Sequence, residues 1–485
     1  MSKLTATNSQ APHAFLYLWK HAMPFIVVIV ASRLIASVMF PQFDDSFITL
    51  RYARNLSMGF GFVFNHGEWI LGVSCPLFGL FESLLFFCHL PMPQSILVFN
   101  ILVDVAMMFV GMRLLREFVG RTSAIVFALV FSLNPTLARV CIGCMEADIF
   151  MLAVVGALWL FFRGKPKEAM TIASFSFFIR PEAVIVVILI LILELRHGSL
   201  GSACKLSALS LMIVAPGLWA MNYFYGEFFP QSVLTKLGLS GYSVLQPIHG
   251  LFLRDPISIT LLPLAGIGIF TIHTSGRVLQ AILAFAGVLT IVYLVSGVDV
   301  PTWYAEPSQY GVSLLASLAL GRIIDRWASV SERLRHGLNQ AVLCALTIMV
   351  WAIGWWHLGP SKVTRNIYGG LKAWGNSEDL RHASIMANDI GARGFYTDAH
   401  ILDLDGLVSH YRIRGLSNML DFIRFQKPDY LFLDDLKDSY VLINESIISE
   451  EYKISSFILQ SPSDSSFRYS NSWSQNYIIL KRKNP

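Results

Sequence analysis

Apolar residues in this chain fall into long unbroken runs rather than alternating stripes. Runs occupy 23–40, 95–112, 122–137, 147–162, a broken pair at 168–179 and 183–195, and 203–222. Others follow at 256–273, 277–296, 309–321 and 338–357. About 17–25 residues of α-helix cross a bilayer, so these runs are predicted to be membrane spans. One stretch, "SCPLFGLFESLLFFCHLPMP" (74–93), is ambiguous because it carries Glu82 and His89 and ends in prolines. Short cytoplasmic loops are enriched in Lys and Arg. The basic connections "RLLREFVGR" (113–121), "RGKPK" (163–167), "ELRHGSLGSACK" (194–205) and "GRIIDRWASVSERLRHG" (321–337) share one side only if 74–90 does not cross. That stretch is therefore predicted to be an interfacial or re-entrant helix. About eleven spans remain, with the N-terminus cytoplasmic and the C-terminus outside. The first run has no small-residue cleavage site after it and reads as an uncleaved span.

This topology puts the polar stretches that do not fit a lipid span on the outer side. They are "FDDSFITLRYARN" (43–55), "GCMEAD" (143–148), "IRPEA" (179–183), "YGEFFPQSVLTK" (225–236) and "GVDVPTWYAEPSQY" (297–310). In "IRPEA", Pro181 breaks an apolar run. Freed backbone at membrane depth is tolerated where it lines a cavity or is packed in protein, so a cavity at the outer face follows.

From about residue 360 the pattern changes. "SEDLRHASIMANDIGARG" (377–394) reads as an amphipathic helix, while "FYTD" (395–398), "ILDLDGL" (401–407), "DYLFLDD" (429–435) and "NYIILKR" (476–482) read as short strands. Helices alternating with apolar strands predict a small α/β domain. The expected division is 1–359 for the membrane part, with a first outer loop at 41–75, and 360–485 for the α/β domain.

Composition agrees with a chain embedded in lipid. Of 485 residues 54% are hydrophobic and 14% charged, against about 25% charged in soluble domains, and mean hydropathy is +0.56. A net charge of +5 spread over membrane flanks gives no nucleic-acid footprint. Six cysteines in apolar settings do not make a disulfide framework. "CIGC" (141–144) lacks a surrounding βαβ pattern and reads as two buried small residues.

Ionisable groups beside or within spans are functional candidates by default. Each also has a plain structural reading. Asp44 and Asp45 would flank the first span, held by Arg51 or Arg54. Glu146 and Asp148 would cap the next helix. Arg180 and Glu182 would pair, Asp299 and Glu306 would be loop charges, and Trp303 and Tyr304 would belong to an interfacial aromatic belt. Taken together, carboxylates, guanidinium groups and aromatics around one outer cavity suit transfer from a lipid-borne anion to a polar acceptor. A carboxylate removes the proton of an attacking hydroxyl, and Arg or Lys holds a departing phosphate. The sequence has no P-loop, GxGxxG fingerprint or Cys/His metal cluster, so a nucleotide site is unsupported.

The stretch "DDSFITLRYARNLSMGFGFVFNHGEWILGVSCPL" (44–77) resembles the first-loop signature of a branch of the GT-C glycosyltransferases. These are polytopic enzymes that use polyprenyl-phosphate sugars. The match is to the terminal arabinofuranosyltransferases of actinobacterial cell walls and their uncharacterised relatives. "GCMEADIF", "FIRPEA", "YGEFFPQSVLTK" and "ILDLDGLVS" are similar to further elements of that family. Cys144, Ala147 and Gln231 depart from the usual Gly, Thr and Asn. "GVDVPTWYAEP" is more like the P-W-Y-Y-x-P loop of some relatives than the arabinofuranosyl element.

The resemblance implies an all-α polytopic bundle with a small outer α/β domain. It implies an inverting glycosyltransferase of the cytoplasmic (inner or plasma) membrane, moving a sugar, a pentofuranose in the nearest branch. The acceptor would be a cell-envelope glycan, a lipid-linked saccharide or a protein. Asp44 would be the catalytic base with Asp45 its neighbour and helper. Arg51, Arg54, Arg180 and Lys236 would meet the donor phosphate, and His66, Glu68, Glu146, Glu182, Asp299, Trp303 and Tyr304 would line the cavity. No cofactor is required; a divalent metal would have to sit on Asp44 and Asp45, with no complete ligand set in the sequence. A transporter or flippase of a lipid-linked saccharide is the alternative, and it would call for inverted repeats.

Overall fold

The computed structural model describes residues 11–237, 245–253, 256–296, 301–328, 362–413, 415–434, 442–458 and 477–483. The expected span at 338–357 and the expected boundary at 359/360 lie outside the described residues. The chain is an integral membrane protein built as a helical bundle with a C-terminal α/β unit.

The bundle comprises α1 (Ala11–Met39), α2 (Asp44–Ser57), α3 (Pro76–Phe87), α4 (Gln94–Phe118), α5 (Arg121–Leu133) and α6 (Pro135–Ile142). It continues with α7 (Ala147–Phe162), α8 (Pro166–Ser176), α9 (Ala183–His197), α10 (Leu200–Tyr225), α11 (Gln231–Leu237) and α12 (Leu245–Ile248). After these come α13 (Pro256–Thr271), α14 (Arg277–Ser296) and α15 (Glu306–Ala328).

Among the described residues α4, α10 and α14 are each long and apolar enough to cross a membrane, and two bent pairs join them by composition. One pair is α1 with α2, turned by 94°; the other is α5 with α6, turned by 55°. Each bend has a local cause. Pro41 follows α1, and Phe43 takes an extended conformation (φ −75°, ψ 147°) before α2 restarts with Asp44 and Asp45 in its first turn. At the second bend the Asn134 side chain accepts from Leu137 N–H, and Pro135 occupies the first helical position. α3, the ambiguous segment, has 12 residues, about 18 Å at 1.5 Å per residue, which is short of the bilayer core.

In the bundle α15 packs between α5 and α13, and α7 lies between α8 and α14. Phe127, Phe131, Phe150, Phe285 and Tyr310 fill its centre. A Cβ on Gly268 would collide with the Leu315 carbonyl, so this glycine sets the α13–α15 approach.

The C-terminal unit runs α16 (Lys362–Ser377), β1 (Ser384–Ala387), α17 (Ile390–Thr397), β2 (His400–Asp403), α18 (Leu416–Gln426), β3 (Tyr430–Asp434), α19 (Ser446–Glu451), β4 (Tyr452–Ile458) and β5 (Tyr477–Arg482). Strand order is β2-β1-β3-β5-β4. The first three strands are parallel, and β5 is antiparallel to both β3 and β4. Alternate residues face opposite sides. Met386, Leu402, Leu431 and Leu433 pack with Met419 and Phe422 of α18. Ile385, Ile401, Tyr430 and Phe432 share a core with Phe47, Tyr52 and Phe64 of the first loop. One face of the sheet therefore closes within the α/β unit on α18, and the other closes against the membrane part.

Two readings of the tail are corrected. The helix expected over 377–394 is instead a strand, β1, followed by α17, which also absorbs Phe395–Tyr396–Thr397. Pairing on both edges buries "SIMA", and Asp389 at φ 42° breaks the chain before α17. β4 was not foreseen. It is an edge strand with mostly exposed residues and an irregularity between Ile454 and Ser456, which erases the alternation.

Candidate active site

Successive residues on an α-helix point about 100° apart. On α2 this separates neighbours into two faces with different surroundings. Asp45, Ile48 and Thr49 line a small cleft between bundle and tail. Asp44, Phe47, Arg51 and Arg54 face the α/β unit.

Five segments distant in sequence complete the cleft. Gly72, Val73, Ser74 and Cys75 come from the end of the first loop, Met145 and Glu146 from the turn before α7, and Ser232 from α11. Trp303 and Tyr304 precede α15, and Leu407 is contributed by the tail. Thr49 Oγ1 lies 3.6 Å from Cys75 Sγ. The Trp303 ring leans on Phe43 with centroids 4.7 Å apart. The loop carrying Leu407 is rigidly held: the Asp403 carboxylate accepts from the N–H groups of Asp405, Leu407 and Val408. Thr235 Oγ1 of α11 donates to Gly406 O at 2.7 Å.

Behind the Glu146–Tyr304 wall stands Arg180, buried at the helix break before Pro181. It is 3.7 Å from Glu146 and 3.0 Å from Glu182, with its guanidinium 4.3 Å from the Tyr304 ring centre. It also donates to Trp303 O at 3.4 Å. Tyr293 OH donates to Glu182 at 2.7 Å. The Arg180–Glu182 pair is thus present, and through Glu146, Trp303 and Tyr304 it supports three cavity residues.

The other face of α2 holds the tail. Asp44 Oδ2 accepts from Gly391 N–H at 2.8 Å and Oδ1 from Ala392 N–H at 2.9 Å. Arg51 donates to Gly394 O, Ala399 O and Phe64 O at 2.8, 2.6 and 2.7 Å. Arg54 donates to Phe395 O at 2.9 Å and pairs with Asp398 at 2.8 Å. A carboxylate therefore meets the N-terminal N–H groups of α17, and guanidinium groups meet carbonyls at its C-terminal end, the arrangement a helix dipole favours. Glycine lets the helices come this close: a Cβ on Gly391 would strike the Asp44 backbone, and one on Gly394 would lie 2.6 Å from both Arg51 and Phe64. Burial and the nearby Asp389 carboxylate push the Asp44 carboxyl up to about 7, against the pull of Arg393 and the Ala392 N–H.

Of the residues singled out from sequence, Asp45, Glu146, Trp303 and Tyr304 meet at the cleft. Arg180 and Glu182 stand one layer behind. Asp44, Arg51 and Arg54, expected as base and phosphate contacts, turn their polar atoms to α17 and its flanks instead of to the cleft. His66 and Glu68 do not line the cleft either. The exposed His66 ring stacks on Phe60 at 4.0 Å, and Glu68 accepts from Asn65 at 2.8 Å, ordering the loop. The Lys236 side chain and Asp299 lie outside the described residues. Thr49, Ser74, Cys75, Ser232 and Leu407 were not foreseen, since small or apolar residues carry no signal without the fold.

Over residues 365–477 the chain matches a family described as Domain of unknown function (DUF8728). No curated protein matches it by sequence. By structure it is similar to ArnT from Cupriavidus metallidurans in the apo state, with TM-score 0.62 and 12% identity over 95% of this chain and 98% of that one. ArnT from the same organism bound to undecaprenyl phosphate gives 0.58 and 11% over the same shares. The oligosaccharyltransferase of Archaeoglobus fulgidus, in complex with zinc and sulfate, gives 0.53 and 12% over 84% of this chain and 68% of that one. The fold is that of ArnT, over nearly the whole chain.

Proposed function

We propose that this chain is a glycosyltransferase that moves a sugar from a polyprenyl-phosphate carrier to an acceptor hydroxyl at the outer face of the cytoplasmic membrane. The observation that carries the reading is the meeting of Asp45, Glu146, Trp303 and Tyr304 in one cleft between bundle and tail. The fold shared with ArnT, one structure of which holds undecaprenyl phosphate, supports the class of donor.

In this reading Asp45 is the general base. It takes the acceptor hydroxyl proton as the acceptor oxygen bonds to the anomeric carbon and the bond to the carrier phosphate breaks, so one displacement inverts that centre. Glu146 orients the acceptor, held in place by Arg180. Arg180 lends positive charge as the phosphate departs, and Trp303 offers a flat apolar surface to the sugar. Leu407 brings the tail into acceptor choice. Asp44, Arg51 and Arg54 seat the tail and so fix the pitch of α2 and its catalytic face. The division into 1–359 and 360–485 belongs to the same proposal. The first-loop signature favours a pentofuranose donor, with an envelope glycan, lipid-linked saccharide or protein as acceptor. The test is label transfer: purified chain with radiolabelled polyprenyl-phosphate sugar and envelope extract should yield labelled product, and absence of transfer with every donor would reject the reading.

A further inference from the structure

Buried arginines in this chain are met by carboxylates or by several carbonyls. Arg33 pairs with Asp104, Arg180 with Glu182, and Arg51 holds three backbone carbonyls. Arg139 differs. It stands on α6, half-buried at the elbow where α1 turns into α2. Its Nη1 donates to Pro41 O, and among the described residues that is its one hydrogen bond. The guanidinium lies 4.2 Å from the Phe43 ring centre and 5.5 Å from that of Phe40. Among the described residues Tyr368 and Cys144 are the ionisable groups close enough to act on it, and no carboxylate is with them.

Holding the elbow does not require a charge. Phe43 N–H donates to Gly143 O at 3.2 Å and Tyr368 OH to Gln42 O at 3.4 Å. A Cβ on Gly143 would strike the Phe43 ring, so the glycine seats it. A neutral donor would serve Pro41 O as well as a guanidinium does. What the elbow leaves over is a full positive charge with no counter-charge, a costly arrangement away from water. Its surroundings fit one class of anion. The Phe43 ring also touches Trp303 of the cleft wall, with centroids 4.7 Å apart, and Asp45 follows two residues later. Just before the elbow, α1 exposes Ile35 and Val38, apolar residues that face lipid in an embedded bundle. The guanidinium thus stands between cleft and bilayer, where a phosphate on an apolar tail would arrive. Its planar fork can offer parallel N–H groups to two phosphate oxygens.

We propose that Arg139 binds the phosphate group of a lipid, at the level of the cleft. Two lipids carry that group, a polyprenyl-phosphate carrier and an ordinary anionic phospholipid. In the first case the assignment rests on the transfer reading and gives it the residue that receives the departing phosphate. Native mass spectrometry of the purified full chain in detergent measures binding with no sugar or acceptor present, so a failure of label transfer is a separate result. The probes are undecaprenyl phosphate, phosphatidylglycerol and, as a tail without phosphate, undecaprenol. Arg139→Gln keeps a donor for Pro41 O and removes the charge. It should weaken binding of at least one phosphate lipid by about 10–100-fold, the usual worth of hydrogen bonds to a charged group, and leave undecaprenol binding unchanged. The lipid that responds more strongly is the ligand. Arg139→Lys, which keeps the charge and loses the fork, should fall less. The proposal is overturned if the wild type binds neither phosphate lipid, or if Arg139→Gln binds both as the wild type does. It is equally overturned if the loss extends in full to undecaprenol, or if Arg139→Lys falls as far as Arg139→Gln, since the side chain would then serve the elbow alone.

Discussion

Asp44 and Asp45 are identical side chains one residue apart, and the helix sends them into different chemistry. Asp45 looks into the cleft with Glu146 and Trp303. Asp44 looks away from it and holds two backbone N–H groups of α17. Along the same faces Thr49 follows Asp45, while Arg51 and Arg54 follow Asp44. One amphipathic helix thus carries a cleft-lining face and a seating face, and the density of charge in a motif does not say which residues lie on which.

The comparison breaks first at Asp45. Asp45→Asn should lower the transfer rate by about 10²–10⁴-fold, the usual worth of a general base. Limited proteolysis of the tail should look unchanged. The seating face should answer differently. Arg51→Ala strands the carbonyls of Gly394, Ala399 and Phe64 and should weaken seating by about 3 kcal/mol, seen as faster hydrogen exchange over 390–400. Gly391→Ala, which drives a methyl into the Asp44 backbone, should act in the same direction by about 1–3 kcal/mol. In both, activity should fall with the seated fraction. Trp303→Ala should raise KM for the sugar donor by about tenfold with little change in kcat, if its role is to present a flat surface.

The smallest effect is the dependence on pH. The Asp44 carboxyl is raised to about 7 in the seated state, from about 3.9 when exposed. Seating therefore binds a proton more tightly than the open state does. Its contribution should be complete below about pH 4 and lost as pH rises toward about 7. Thermal melts of the wild type at pH 5 and pH 8 should show this slope, and Asp44→Asn, which cannot ionise, should flatten it.

Much of this was legible from residue patterns. Long apolar runs gave the membrane class, and the break at Pro181 gave the buried Arg180. The polar stretches between apolar runs named Asp45, Glu146, Trp303 and Tyr304, which the fold brings to one cleft. What stayed hidden depends on three-dimensional partners. Arg51 and Arg54 resemble phosphate ligands until Gly394, Phe395 and Ala399 arrive from about 340 residues away. The strand at Ser384–Ala387 forms because two parallel neighbours bury it, against a local helical pattern. Arg33 and Asp104, each set inside an apolar run, carried a readable signal, since a charge at that depth calls for a partner.

The most direct measurement compares Asp44→Asn and Asp45→Asn, purified side by side and given the same labelled polyprenyl-phosphate sugar under single-turnover conditions. With the tail seated in both, Asp44→Asn should transfer label within a few-fold of wild type, and Asp45→Asn should transfer almost none. A silent Asp44→Asn beside an active Asp45→Asn would contradict the assignment of the two faces.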